Sequence, residues 1–306
     1  MTETPSVSTR REDGVTWEET GMTGASALRA SLRENRLVVA PGAADALTAR
    51  LVQGLGFDAV YMTGLGATAV RLGQPDLGLM TQTEMADHAR AFVRAVDIPV
   101  IADADTGYGG ALNVARTVRE YMQGGVAAMH LEDQVSPKRC GQLAGVRLVD
   151  PAEAAARLSA AVEARGDGDI VLIGRTDALP AQGMDEAVAR AARFRDTGVD
   201  LIFVDGVKTR AEVEAIARRV EGPKVLSLVD GTDAAQLGIA DVRELGFSVV
   251  MYAVTALFAA TRASADALAR LKDSGLPGGG DALSYADFCD LVDLVGHQAF
   301  AHRHGE

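Results

Sequence analysis

Short apolar runs alternate with longer amphipathic segments along most of the chain. Eight of the runs are rich in β-branched residues and apolar along their whole length, as parallel strands buried on both faces should be. They span residues 37–40, 59–62, 99–102, 127–131, 170–174, 201–204, 224–228 and 248–252. The segments between them have helical periodicity. In residues 45–55, for example, Ala46, Leu47, Leu51 and Leu55 share one face. Eight strand–helix units predict a (β/α)8 TIM barrel rather than an open doubly wound sheet.

Local turn signals agree with this fold. Gly56, Gly198 and Gly246 come just before three of the runs, where a glycine that ends the preceding helix is expected. Residues 151–165 begin with a proline, which favours the first turn of a helix. A GxGxxG turn is absent after the first run, which weakens the alternative of a dinucleotide-binding fold.

The segments outside the repeating pattern divide the chain into three predicted parts. Residues 1–23 are polar and aperiodic and predict a disordered tail; the alternative is a tail ordered against a neighbouring subunit. Residues 24–275, which begin with a short helix over 26–35 and end with a long one over 256–272, form the catalytic barrel. Residues 276–306 form a C-terminal helical extension.

The extension contains one predicted helix, residues 284–297, after a glycine-rich joint at 275–280. Its apolar side consists of Tyr285, Phe288, Leu291, Leu294 and Val295. A barrel does not need this helix, so we expect the apolar side to be buried against another subunit.

Composition narrows the class of protein. Of 306 residues, 48% are apolar and 24% charged, which is enough for a sizeable core. The net charge of −12 argues against a nucleic-acid or anionic-membrane partner, since both need a basic face. No run is long enough to span a membrane, and the N-terminus lacks the apolar core of a signal peptide. Two cysteines, Cys140 and Cys289, cannot form a disulfide framework. These features predict a cytoplasmic protein in which Cys289 is a small core residue.

Polar residues gather just after the predicted strands, where the active site of a TIM barrel lies. They are Asp45, the segment 63–66, Asp103, Asp105, His130, Glu132, Asp133, Arg175, Asp177, Asp205, Ser227 and Asp230. The opposite ends of the same strands carry no comparable set. This asymmetry predicts an enzyme.

Asp103, Asp105 and Glu132 predict a site for Mg²⁺, with Mn²⁺ possible, because their carboxylates are hard oxygen ligands. A lone Asp-x-Asp more often marks a turn or a helix cap, but its position opposite Glu132 favours the metal. Thr63-Gly-Leu-Gly66 offers backbone amides that could bind a carboxylate or phosphate. Arg175 suits a bidentate carboxylate contact, or it simply pairs with Asp177 or Glu132. For His130, a structural and a catalytic role are equally open.

Residues 130–141 bring two carboxylates at a strand end together with two cations and a thiol in the following loop. Lys138 and Arg139 flank Cys140 on one side, and adjacent cations favour the thiolate, as a cysteine that moves protons requires. The alternative is a solvated charged loop with an incidental cysteine.

Six motifs together resemble the isocitrate lyase / phosphoenolpyruvate mutase superfamily, most closely its short-chain, methylisocitrate lyase-like members. They are Tyr61-Met-Thr-Gly64, Gly73-Gln-Pro-Asp-Leu-Gly78, Asp103-Ala-Asp-Thr-Gly-Tyr-Gly109, His130-Leu-Glu-Asp-Gln134, Lys138-Arg-Cys-Gly141 and Gly174-Arg-Thr-Asp-Ala178. The resemblance covers roughly residues 27–275. It implies a modified (β/α)8 barrel, usually a homotetramer, whose last helix is exchanged with a neighbouring subunit.

The resemblance also implies residue roles. Asp105 would be the main direct ligand of Mg²⁺, with Asp103 and Glu132 acting largely through waters, and residues 138–141 would form a lid that carries Cys140 as the acid/base. The predicted catalytic residues are Cys140, Lys138, Arg139, Arg175 and His130. The predicted substrate-binding residues are Tyr61, Thr63, Gly64, Leu65, Asp76, Gly141, Gln142, Arg175, Asp205 and Ser227.

Four of these positions depart from the pattern of the superfamily. Gln142 replaces a histidine, Leu65 a glycine, Asp205 a glutamate and Ser227 an asparagine. Because Gln142 is uncharged, a site built for a tricarboxylate has lost a cation, which argues against cleavage of isocitrate or methylisocitrate themselves.

The predicted function is therefore a Mg²⁺-dependent carbon–carbon lyase that cleaves a 2-hydroxy-dicarboxylate, a substituted malate or a methylisocitrate-like acid. The products would be a 2-oxo acid and a carboxylic acid. The alternatives are an oxaloacetate-type hydrolase or decarboxylase, a phosphonate (C–P) mutase, and a catalytically retired barrel that binds a small acid. Cys140 favours the lyase, because a departing carbanion needs a proton donor. The predicted partners are a small carboxylate substrate and further copies of the chain.

Overall fold

A computed structural model describes residues 22–277 and 282–305. Its centre is a closed barrel of eight parallel strands in sequential order. The strands are β1 (Val38–Ala43), β2 (Val60–Met62), β3 (Val100–Asp103), β4 (Ala128–Glu132), β5 (Val171–Thr176), β6 (Leu201–Val204), β7 (Lys224–Leu228) and β8 (Val249–Tyr252). β8 pairs with β1, in a register that runs from Val38 opposite Val249 to Pro41 opposite Tyr252. The predicted (β/α)8 barrel is confirmed.

The strand ends differ from the apolar runs in an informative way. β1 continues to Ala43 and β5 to Thr176, beyond the predicted ends of these strands. On β4 and β5, Glu132 lies directly opposite Arg175 in the ladder, and Asp103 on β3 lies opposite His130. The charged residues are thus the last residues of strands rather than parts of loops. An apolar pattern stops where such residues begin, although the backbone pairing continues.

Thirteen α-helices are described around and beyond the barrel. They are α1 (Gly24–Arg33), α2 (Ala46–Gly54), α3 (Gly64–Leu72), α4 (Gln82–Ala95), α5 (Ala111–Gln123), α6 (Pro151–Arg165), α7 (Ala178–Gln182), α8 (Met184–Arg195), α9 (Arg210–Arg219), α10 (Ile239–Glu244), α11 (Thr255–Ser274), α12 (Tyr285–Leu291) and α13 (Leu294–Arg303). The bounds of α6 are those predicted. Gly56, Gly198 and Gly246 have φ angles of 79°, 89° and 76°, so the expected left-handed glycines are present.

The core has two layers. One lies inside the barrel and the other between the strands and the surrounding helices. Helix α1 closes the amino-terminal end of the barrel, because Leu28 packs into the inner layer against residues such as Val38 and Ala127. Arg29 holds this helix in place through hydrogen bonds to the Ile170 carbonyl oxygen and to Asp200. The barrel therefore opens at its carboxyl-terminal end.

The C-terminal extension differs from the prediction of a single helix over 284–297. Asp293 has a left-handed φ of 55°, which ends one helix, and its carboxylate accepts a hydrogen bond from Gly296 N at 3.2 Å, which begins the next. Leu291 is buried, and its carbonyl oxygen accepts a hydrogen bond from Arg50 on α2, whereas the other four residues of the predicted apolar side are exposed. Cys289 is half-buried.

Two predictions fall wholly or partly on residues outside the description. The predicted disordered tail lies there except for Met22 and Thr23, and so does part of the glycine-rich joint, residues 278–280. Among the described residues, no helix is long and apolar enough to cross a membrane.

Candidate active site

A cavity of about 120 Å³ opens at the carboxyl ends of the strands. Eleven of the predicted site residues line it: Tyr61, Thr63, Leu65, Asp76, Asp103, Cys140, Gly141, Gln142, Arg175, Asp205 and Ser227. They come from parts of the chain that are far apart in sequence. The closed barrel brings them together, because the ends of all its parallel strands meet at one rim.

Five further residues line the cavity and were missed by sequence reasoning. They are all apolar: Phe203, Val229, Ala253, Val254 and Phe258. Phe203 lies within β6, whereas the others follow β7 or β8. Val229 comes directly after a strand, which was the available signal, but the prediction of rim residues rested on polar side chains. One side of the cavity is therefore apolar.

Arg175 lies within an arc of carboxylates. Its Nη2 atom is 2.8 Å from Asp177 Oδ1, 2.6 Å from Asp205 Oδ2 and 3.3 Å from Glu132 Oε2. Burial opposes its charge, but the negative charges of Asp177, Asp205 and Glu132 outweigh this and raise the pKa of Arg175 well above its ordinary value. The pairing left open by the sequence does occur. The guanidinium nevertheless lines the cavity as a permanent cation.

A second ion pair, between Asp133 and Arg190, is buried next to the end of β5 that carries Arg175. Asp133 accepts hydrogen bonds from Thr176 Oγ1 at 2.7 Å and from Asp177 N at 3.0 Å, and Arg190 Nη1 on α8 lies 3.1 Å from Asp133 Oδ2. Asp177 in turn accepts two hydrogen bonds from Arg175. Arg190, which sequence reasoning missed, thus fixes the end of β5 that carries Arg175.

Acidic residues and Lys138 occupy the neighbouring part of the site. Lys138 Nζ lies 2.7 Å from Asp76 Oδ1 and 2.8 Å from Asp105 Oδ1. Asp103 accepts hydrogen bonds from Asp105 N at 2.9 Å and from Gly64 N at 3.2 Å. Burial raises the pKa of Asp105 to about 6 against the opposing charge of Lys138, and the nearby carboxylates of Asp103 and Asp76 raise it further.

These acidic residues fit a divalent cation that prefers oxygen ligands. Within the described part of the chain, the buried Oε1 atom of Glu132 has no hydrogen-bond or ion-pair partner, whereas Glu132 Oε2 faces only Arg175 and Asp105 Oδ1 only Lys138. Unpartnered buried oxygens of this kind are typical of sites completed by an ion or by water. No three His, Cys, Asp or Glu side chains of the described residues are arranged to hold a metal alone.

His130 lies beneath this group and has no exposed surface. Its Nε2 atom is 3.0 Å from the Tyr61 hydroxyl, and its Nδ1 atom is 3.7 Å from Asp103 Oδ1. Burial lowers the pKa of His130 to about 4, despite the opposing charge of Asp103, so the imidazole is neutral near pH 7. His130 contacts two residues that line the cavity rather than the cavity itself.

The segment 138–141, called the lid segment below, lies against the cavity. Cys140 N donates a hydrogen bond to the Asp76 carbonyl oxygen at 3.0 Å. Burial raises the pKa of the Cys140 thiol to about 11, and the charges of Asp76 and Asp205 act in the same direction. The expectation that adjacent cations favour the thiolate is therefore wrong, because Lys138 pairs with the acidic residues instead.

Arg139 is the one predicted site residue that points away. Its side chain is exposed, and its Nη1 atom donates to the Ala144 carbonyl oxygen at 2.9 Å. Chain neighbours in an extended loop point to opposite sides, so proximity to Cys140 in sequence did not bring the guanidinium to the thiol. The structure does not place Arg139 with the other predicted catalytic residues.

Three other positions at strand ends have local structural roles. Asp45 caps α2 by accepting a hydrogen bond from Thr48 N at 2.7 Å, and Asp230 accepts one from the Thr255 hydroxyl at 2.7 Å. Thr63 is the N-cap of α3, so the expected glycine loop is in fact the first turn of a helix, which starts at Gly64. Such a turn still points backbone amides at the cavity rim.

The closed barrel and the charged cavity at the carboxyl ends of its strands define a (β/α)8-barrel enzyme. The family model for phosphoenolpyruvate phosphomutase matches residues 28–272. The chain is 42% identical to 2,3-dimethylmalate lyase from Eubacterium barkeri, over 89% of this chain and 95% of that protein. It is 36% identical to 2-methylisocitrate lyase from Aeropyrum pernix, over 91% of this chain and 89% of that protein.

Solved structures give the same picture. A 2,3-dimethylmalate lyase, described as a PEP mutase/isocitrate lyase superfamily member, superposes with a TM-score of 0.87 and 39% identity, covering 93% of this chain and 96% of that one. Oxaloacetate acetylhydrolase in complex with 3,3-difluorooxalacetate superposes with a TM-score of 0.88 and 36% identity, covering 92% of this chain and 97% of that one. Phosphonopyruvate hydrolase in complex with oxalate and Mg²⁺ superposes with a TM-score of 0.85 and 32% identity, covering 93% of this chain and 100% of that one. The chain belongs to the phosphoenolpyruvate phosphomutase family, within the superfamily that its motifs resemble.

Proposed function

We propose that this protein is a Mg²⁺-dependent carbon–carbon lyase. Its substrate would be a 2-hydroxy-dicarboxylate of the substituted-malate type, cleaved into a 2-oxo acid and a carboxylic acid. The observation that carries the proposal is the position of Cys140, whose pKa of about 11 keeps it protonated, in the same cavity as Arg175 and Asp103. A lyase needs a proton donor for the fragment that departs as a carbanion, whereas a hydrolase needs an activated water.

Other residues of this chain would bind the metal and the substrate. Asp105, Asp103 and Glu132 would hold Mg²⁺, which stabilises negative charge that develops on substrate oxygens. Arg175 would bind a substrate carboxylate through its Nη1 donors, since Asp177 accepts from Nε and Nη2 and keeps the guanidinium in one orientation. The Leu65 amide, in the first turn of α3, would bind a second carboxylate. The neighbouring amides of Gly64 and Gly66 already donate to Asp103 and Thr63. As the C–C bond breaks, the 2-hydroxyl proton would pass to a carboxylate of the cavity, and Cys140 would deliver a proton to the carbanion. The lid segment would exclude water that could otherwise protonate it.

The composition of the cavity wall narrows the substrate. Gln142 is uncharged, and Val229, Val254 and Phe258 form an apolar side. A third carboxylate would be buried there without a cation, which is costly, whereas an alkyl group would be stabilised by burial. These features support an alkyl-substituted malate over isocitrate, and they agree with 2,3-dimethylmalate lyase among the relatives.

Turnover of a substrate panel tests the proposal. The panel contains 2,3-dimethylmalate, 2-methylisocitrate, isocitrate, oxaloacetate and phosphonopyruvate, assayed with Mg²⁺ or Mn²⁺ and again after EDTA, with Cys140→Ser and the control Cys289→Ser alongside. We expect metal-dependent release of a 2-oxo acid from the substituted malate, lost in Cys140→Ser and retained in Cys289→Ser. Oxaloacetate turnover that survives Cys140→Ser would instead indicate the hydrolase or decarboxylase. Conversion of phosphonopyruvate alone would indicate a mutase. No turnover and no Mg²⁺ binding would indicate a retired barrel.

A further inference from the structure

Gln134 makes two hydrogen bonds to the residue that precedes Cys140. Its Nε2 atom donates to the Arg139 carbonyl oxygen at 2.8 Å, and its Oε1 atom accepts from Arg139 N at 3.0 Å. Gln134 is 1% exposed and lies two residues after Glu132, the last residue of β4. A side chain anchored at the rim of the barrel therefore holds both polar backbone groups of Arg139.

We propose that Gln134 is a positioning residue that holds the thiol of Cys140 in the cavity. The backbone around the thiol is fixed at four points: Arg139 N and O by Gln134, Cys140 N by the Asp76 carbonyl oxygen, and Cys140 O by Leu143 N. The Arg139 side chain takes no part, since it is bonded to Ala144 on the outside. Of the side chains of this size, an amide alone offers a donor and an acceptor side by side without charge.

The base of the loop that carries Cys140 is anchored independently of the Gln134 side chain. The base is held by main-chain contacts, namely the bridge between Gln134 and Leu148 and the hydrogen bond from Val135 N to the Arg147 carbonyl oxygen at 2.8 Å. A substitution at Gln134 leaves these backbone groups in place. Its effect should therefore be confined to the lid segment and the thiol.

Alkylation of Cys140 tests the inference directly. In a Cys289→Ser background Cys140 is the single thiol, and its rate of reaction with iodoacetamide reports how often it leaves the protected position. We expect Gln134→Met, which loses both hydrogen bonds, to react roughly tenfold faster. Gln134→Glu keeps the acceptor but loses the donor, so its alkylation rate should lie between the rates of the parent and of Gln134→Met. If the lyase activity is present, kcat should fall while KM changes little.

Gln53→Met is the matched control. The Gln53 amide also bonds loop backbone, at Asp97 N and Ile98 N, but on the opposite end of the barrel. We expect its alkylation rate to stay within about twofold of the parent. Parent-like alkylation of Gln134→Met, or an equal rise in Gln53→Met, would overturn the inference. Thermal unfolding identifies a misfolded variant, in which case Gln134→Glu decides. The inference rests on the proposed role of Cys140, but the alkylation result stands even if no lyase substrate is found.

Discussion

Gly141 leaves no room for a side chain where the lid segment meets the charged residues of the cavity. An added Cβ would lie 2.6 Å from Asp177 Oδ1 and from Asp205 Oδ2, and 3.0 Å from Arg175 Nη2. Gly141→Ala must therefore push the lid segment away from Arg175, and we expect kcat/KM to fall by roughly 100-fold. The unfolding midpoint should change little, because the lid segment packs against the cavity and belongs to neither layer of the hydrophobic core.

Gly110→Ala is the control for this substitution, since a Cβ at Gly110 meets nothing within 4 Å. Gly110 precedes α5 at the same rim of the barrel. Steady-state kinetics of both variants check the prediction. Equal activity of Gly141→Ala and the parent would contradict the close approach seen here.

The protonation of Cys140 gives a second prediction at this scale. Because burial raises the thiol pKa to about 11, the reactive thiolate should form only as the pH approaches that value. In the Cys289→Ser background, the alkylation rate should rise with a midpoint far above the ~8.5 of a free cysteine. A midpoint at or below 8.5 would show that Lys138 or Arg139 does stabilise the thiolate, as the sequence alone had indicated.

Among elements, the junction of β4, β5 and α8 depends on one buried ion pair. Removal of Arg190 would leave Asp133 buried without its cation, and would also remove the hydrogen bond to the Val149 carbonyl oxygen. We expect Arg190→Met to lower the free energy of unfolding by about 3 kcal/mol, as measured in urea. It should also lower kcat/KM, because Asp177 and hence Arg175 lose their fixed orientation.

Arg210→Met is a suitable control, since Arg210 pairs with Glu214 on the exposed surface of α9. Exposed ion pairs of this kind contribute little to the free energy of unfolding, so the urea midpoint of Arg210→Met should match that of the parent. An Arg190→Met variant as stable as Arg210→Met would mean that the buried pair is dispensable.

Element positions were predictable from the sequence to a useful degree. All eight strands were found, because a parallel strand buried on both faces is apolar throughout. Two of the strands were ended too early, since Glu132 and Arg175 interrupt the apolar runs although they pair in the ladder. The C-terminal extension was predicted as one helix although it contains two, because the left-handed Asp293 between them has no signature in an apolar stripe.

For the whole molecule, the C-terminal extension provides the main prediction. No residue of α11 is buried, and Phe288 on α12 and Phe300 on α13 are exposed. Apolar surface of this extent is typical of a subunit interface. We propose that the protein is a homotetramer in which the extension packs on a neighbouring subunit.

Light scattering checks this proposal. Phe288→Asp should reduce the mass from that of a tetramer to that of a smaller species, because a carboxylate cannot be buried at the interface without a partner. The control is Leu112→Asp, which alters a residue that is 88% exposed on α5 of the barrel. A tetramer that persists in Phe288→Asp, or a monomeric parent, would contradict the proposal.

The sequence by itself determined the closed barrel, the rim at which the site lies and eleven of the residues that line the cavity. Strand burial and strand ends leave local patterns in composition, which predicted the barrel and the rim. Tyr61, Asp76 and Gln142 were instead implied by the resemblance of the motifs to a known superfamily. The tertiary structure alone decided which partner each charged group takes. It paired Lys138 with Asp76 and Asp105, turned Arg139 outward, raised the pKa of Cys140 and placed Gln134 against the lid segment. Charge pairing and desolvation depend on distances between residues far apart in the chain, and no local pattern records those distances.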